Sequence, residues 1–113
     1  MAIKIWHNNR CSKSREALKL LEDQGKEIEI YNYLQESPSV DDIKDVLNKL
    51  GIKAKDLMRT KETIFKELGL ENIQDEQTLI KAMVDNPKLI ERPIIITDTK
   101  TIIGRPPSLV LDL

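Results

Sequence analysis

Residues 2–33 read AIKIWHNNRCSKSREALKLLEDQGKEIEIYNY, and three patterns succeed one another within them. Ile3 and Ile5 alternate around Lys4 and lead into the polar run HNNRCS, as a strand entering a loop does. Ala17, Leu18, Leu20 and Leu21 then form an apolar stripe at helical spacing, and Gly25 stands where a helix would be capped. The run EIEIYNY alternates again through Ile28 and Ile30, giving a second strand. A β-α-β unit within one sheet takes a right-handed crossover, so these two strands should be parallel.

Working outward, ESPSVDDIKDVLNKLG (residues 36–51) pairs Ser39 with Asp42 in the manner of a capping box. Val40, Ile43, Val46, Leu47 and Leu50 trace one helical face of that stretch before Gly51 closes it. Two further helices are predicted, at about 61–68 ahead of Gly69 and at about 75–85 ahead of Pro87, so residues 38–88 read as a helical insertion. The last third returns to strands. PIIIT and TIIG flank DTK, which predicts a hairpin with a three-residue connection pairing Thr97 with Thr101. RPPSLVLDL closes the chain as a short helix with Pro106 or Pro107 in its first turn. The order β-α-β, helices, β-β-α implies an α/β, thioredoxin-like fold: a mixed four-stranded sheet flanked by helices, with a central helical insertion, all in one domain spanning 1–113.

Composition narrows the function classes. Eighteen basic and nineteen acidic residues nearly cancel, so no global field draws the chain to nucleic acid, and any electrostatic function is local. No apolar run approaches the roughly 18 residues of a membrane span, and MAIKIW lacks the features of a secretory signal. A cytoplasmic protein with no membrane association is the expectation. One histidine and one cysteine cannot make a structural zinc set, and there is no Gly-rich phosphate loop. No metal and no tightly bound cofactor is therefore expected. Trp6, Met58 and Met83 read as packing residues.

The chemistry concentrates in HNNRCSKSR, residues 7–15. A thiolate is the reactive form of cysteine, and an unperturbed thiol is mostly protonated at neutral pH. If the helix starts near Ser12, Cys11 sits where unpaired amides and the helix dipole favour an anion. His7, Arg10 and Arg15 can add charge or donors, and the same amides, with the Ser12 and Ser14 hydroxyls, can cradle an oxyanion. A thiol in such a cradle can attack a tetrahedral oxyanion or a disulfide. Arg92 and Arg105 should meet at the open end of the hairpin, where two guanidiniums invite an anion between them. Pro93, at the entry to a strand, is a candidate for a cis peptide.

Four stretches together carry a resemblance: HNNRCSKSR, DLMRTKE at 56–62, LIERPIII at 89–96 and IGRPP at 103–107. In order and interval they are similar to the signature stretches of the glutaredoxin-coupled arsenate reductase (ArsC-type) family, and closest to its short chromosomal members. That family has a thioredoxin-like fold with a helical insertion. The resemblance implies that Cys11 is the catalytic nucleophile and that Arg59, Arg92 and Arg105 bind arsenate or a similar oxyanion. It implies that His7 and Ser14 tune the thiolate, with glutathione as cosubstrate and glutaredoxin as protein partner. One departure is Asn9, which stands where the family usually has proline.

Reduction of arsenate to arsenite takes two electrons, and a lone cysteine supplies only one sulfur of the product disulfide. The second thiol must therefore come from outside the chain. Two rivals remain. One is a glutathione-linked thiol oxidoreductase acting on another substrate; the other is an Spx-type regulator that binds RNA polymerase. Spx-type proteins commonly carry a C-x-x-C switch, whereas residues 11–14 read CSKS.

Overall fold

The computed structural model describes residues 2–113. The chain divides into two compact units, Met1–Glu36 with Arg92–Leu113 and Ser37–Glu91. In the first unit β1 (Ile3–Trp6), α1 (Ser12–Asp23) and β2 (Ile28–Tyr31) form the expected β-α-β element, followed after the second unit by β3 (Ile94–Ile96) and β4 (Thr101–Ile103). The sheet order is β2-β1-β3-β4, with β1 parallel to β2 and antiparallel to β3, and β3 antiparallel to β4. The sheet is mixed and four-stranded, as the sequence predicts.

Alternation in β1 determines which face is covered by α1. Ile3 and Ile5 join Ala17 and Leu21 of α1, Ile95 of β3 and Val110 near the C-terminus in one buried cluster. The apolar stripe read from the sequence is thus the face that α1 lays on the sheet. Trp6 points to the opposite face, where its ring meets Tyr31 edge-on at 5.2 Å and stacks with Tyr33 at 6.2 Å. It is 3% exposed, a packing residue. At the C-terminus of α1, Gly25 takes φ +71°, with its N–H donating to Glu22 O at 2.9 Å and the Lys26 N–H to Leu21 O at 3.4 Å. This is the Schellman arrangement, in which a glycine supplies the left-handed turn.

The second unit is helical: α2 (Val40–Leu50), α3 (Ala54–Leu57), α4 (Thr63–Glu67) and α5 (Glu76–Asp85), with 3-10 turns at Leu70–Asn72 and Pro87–Leu89. The predicted capping box is present in both directions. The Asp42 N–H donates to Ser39 Oγ at 3.1 Å, and the Ser39 N–H donates to Asp42 Oδ2 at 3.0 Å. Ile43, Val46 and Leu47 are buried on α2 and Leu79, Ile80 and Met83 on α5, while Val40 remains exposed. The four-residue α3 has no counterpart in the sequence reading, being too short for a periodic pattern. Its first amide, on Ala54, donates to the Glu76 carboxylate at 3.1 Å and so ties α3 to the start of α5.

The hairpin expected in the final third needs correction. The hairpin pairs Ile96 with Thr101 and Ile94 with Ile103, one residue out of the expected register, across a four-residue connection. The reason is Thr97, whose hydroxyl accepts from the Lys100 N–H at 2.9 Å while its own N–H donates to Lys100 O at 2.7 Å. Thr97 therefore starts the turn instead of ending the strand. The terminal segment Pro107–Asp112 is a 3-10 helix with Pro107 in its first turn.

Candidate active site

Helix α1 begins at Ser12, which makes Cys11 its N-cap residue, with extended backbone at φ −93° and ψ 120°. The loop before it is closed by the Cys11 N–H donating to Asn8 O at 3.0 Å, and the Arg15 N–H donates to Cys11 O at 3.0 Å as the helix starts. The Cys11 side chain makes no cap hydrogen bond of conventional geometry. Its thiol is nevertheless held below the ordinary thiol range. Burial raises it, and this is outweighed by the Ser14 amide, by the hydrogen bond and charge of the Arg92 guanidinium, and by the Lys13 amide. The thiol is 9% exposed and free of any disulfide. Its surroundings are thus a low-dielectric setting furnished with donors, in which a thiolate is favoured.

His7 and Ser14 are linked behind it. His7 Nδ1 and Ser14 Oγ are 2.6 Å apart, and the Asn8 N–H donates to Ser14 Oγ at 3.1 Å. Burial holds the His7 pKa below its ordinary value and the Arg15 charge lowers it further, with Glu22 opposing. The direction of the His7–Ser14 bond follows the imidazole tautomer, while Ser14 Oγ accepts from the Asn8 N–H in either case. Ser14 is fully buried at the third position of α1, where its backbone amide also serves the sulfur. One residue therefore joins the imidazole to the helix head.

The shifted hairpin register aligns Arg92 with Arg105 directly beyond the paired residues, and Arg105 Nη1 donates to Arg92 O at 3.2 Å. The Gly104 N–H donates to Pro93 O at 2.8 Å, and the Arg92–Pro93 and Arg105–Pro106 bonds are both cis. Arg92 is half-buried and Arg105 exposed. The first unit thus brings Cys11, His7, Ser14, Arg92 and Arg105 to one region of the sheet, with Arg92 as the cation acting on the sulfur. Arg10 and Arg15 are exposed. Arg59 belongs to the second unit, just after an isolated bridge between Met58 and Ile90. There its guanidinium pairs with Glu62 and lies 3.8 Å from Glu91. The sequence reading passed over Asn8, whose amide fixes Ser14, because a backbone contact leaves no trace in residue type. Among the described residues no group of His, Cys, Asp or Glu could hold a metal ion, and no helix is long and apolar enough to cross a membrane.

Sheet order, helix placement and a thiol at the head of the first helix define a thioredoxin-like protein with a single-cysteine site. The sequence pattern of the ArsC family matches residues 6–113. An arsenate reductase of Neisseria meningitidis is 48% identical over 106 residues, covering 92% of this chain and 91% of that one. An uncharacterized Escherichia coli protein, YfgD, is 50% identical over 98% of this chain and 95% of its own length. The solved structure of an arsenate reductase from Vibrio cholerae superposes with a TM-score of 0.95 at 44% identity, over 99% of this chain and 97% of that one. The chain belongs to the ArsC family.

Proposed function

We propose that this protein is an arsenate reductase that draws its electrons from glutathione, with glutaredoxin clearing the resulting mixed disulfide. The observation that carries the reading is the setting of Cys11: an N-cap thiol favoured as the anion by helix amides and by the Arg92 guanidinium. Relatives bearing the name arsenate reductase over nearly the whole chain support the choice of oxyanion.

In this reading arsenate docks against the amides at the head of α1 and the guanidiniums of Arg92 and Arg105; the family resemblance alone adds Arg59 as a further ligand. The Cys11 thiolate adds to arsenic and water leaves, giving a thiol–arsenate adduct. Helix amides and guanidiniums offset the repulsion between the thiolate and the anionic substrate. His7 and Ser14 act indirectly, by holding the loop and the Ser14 amide in position. The chain has one cysteine, so the second sulfur is glutathione's.

The test follows arsenite formation from arsenate, glutathione and glutaredoxin, with each omitted in turn. Omission of glutathione should abolish product, and Cys11→Ser should be inactive but folded. Arsenite produced by the serine variant at the native rate would end the thiolate mechanism. A native chain that makes no arsenite in the complete mixture, yet resolves glutathionylated proteins, is instead a thiol oxidoreductase of another substrate.

A further inference from the structure

The order β2-β1-β3-β4 puts different segments on the two sides of the loop that carries Cys11. Arg92, just before β3, lies to one side. To the other lies the turn after β2, and there an open cavity of about 250 Å³ is walled by His7, Asn8 and Arg10 from the Cys11 loop and by Asn32, Leu34 and Gln35 from the turn. The wall offers carboxamides able to donate and accept, one guanidinium and one aliphatic side chain. Leu34, 41% exposed, contributes an apolar surface to the wall. Such a lining complements peptide groups and a carboxylate, and the volume matches a small molecule and not a protein surface.

Displacement at a divalent sulfur is in-line, with the entering and leaving atoms on opposite sides of the sulfur under attack. With arsenic held on the Arg92 side of Cys11 Sγ, the second thiol must enter from the side facing β2. We infer, resting on the reductase reading above, that this cavity is the docking subsite for the external thiol and that it selects a small, peptide-like thiol bearing a carboxylate. The bound thiolate attacks Cys11 Sγ; an S–S bond forms and the S–As bond breaks. The bonding pair departs with arsenic, which goes from the +5 to the +3 state, while the two sulfurs are oxidised to a disulfide. The proton lost by the entering thiol equals the one taken up by the departing arsenite. Arg10 holds the carboxylate of the thiol, and Asn32 and Gln35 its amide groups.

S-Methylglutathione cannot react and serves as the probe, titrated into the isotopically labelled native chain while amide resonances are followed. Saturable shifts are expected at Arg10, Asn32, Leu34 and Gln35. The Asn32→Leu/Gln35→Leu double variant, altered only at exposed turn positions, should weaken binding about fivefold or more through lost hydrogen bonds. Its KM for glutathione should rise while its KM for arsenate stays at the native value. Shifts confined to Arg92–Ile94 and Gly104–Arg105, or no saturable shift, overturn the subsite whether or not arsenate is reduced. Shifts at the cavity in a chain that makes no arsenite remove the arsenate reading and leave the thiol subsite standing.

Discussion

Cys11 owes its chemistry to two kinds of donor that can be separated by substitution. Backbone amides belong to α1 and persist in any variant that keeps the helix, whereas the Arg92 contribution disappears with its side chain. The rate of alkylation by iodoacetamide against pH should have its midpoint below the roughly 8.5 of a free thiol, and Arg92→Ala should move it upward. A native midpoint at or above the free-thiol value contradicts the geometry. Linkage fixes the sign for stability. An acid whose folded pKa is depressed adds stability above its unfolded pKa, and that gain is lost as pH falls through the folded pKa. The stability advantage of the native chain over Cys11→Ser, measured by urea unfolding, should therefore shrink on acidification. Ser14 separates structure from chemistry. Ser14→Ala leaves His7 Nδ1 and the Asn8 N–H without their buried partner, at about 1–3 kcal/mol. Its backbone amide stays at the sulfur, so the alkylation midpoint should hold while the urea midpoint drops. The sequence made the thiol and its helix head legible through residue type and spacing. It could not distinguish Arg92 from Arg10 or Arg15 as the cation acting on the sulfur, because that depends on how the distant hairpin is registered.

The hairpin is the element on which that positioning turns. Gly104 follows β4, and a Cβ there would come within 2.9 Å of Ile95 Cδ1 and 3.0 Å of Pro93 Cγ. Both neighbours are buried, and the Gly104 N–H holds Pro93 O. Gly104→Ala should destabilise the protein by about 1–3 kcal/mol through overpacking, read as a lower urea midpoint. Because Pro93 follows Arg92, the same substitution should raise the Cys11 alkylation midpoint, a coupling that a remote core substitution would lack. The periodic elements were readable in advance: strands β1 and β2, the stripe of α1, the capping box of α2 and the helix ending before Pro87. The register was not, since threonine serves a strand and a turn equally well, and Thr97 uses its hydroxyl for the turn. Asn32 and Gln35 carried no signal either. Polar residues in a turn look alike until a cavity is found beside them.

At the scale of the molecule, two sequence-distant segments make the first unit, and Ser37–Glu91 makes the second. In the first unit Ile3, Ile5, Ala17, Leu21, Ile95 and Val110 form the buried cluster between α1 and the sheet. Leu21→Ala should therefore lower unfolding free energy in urea by about 2–5 kcal/mol, with the alkylation midpoint of Cys11 unchanged under folding conditions. A shifted midpoint would mean that the helix head moves when its buried face is hollowed. Composition had narrowed the function classes before any element was placed, because a near-neutral chain with one cysteine leaves few ways to do redox chemistry. That solitary sulfur has a practical corollary. A maleimide dye or nitroxide can attach to only one thiol in the polypeptide, at the head of α1, so fluorescence or spin relaxation from a labelled sample reports on a single address without mutagenesis.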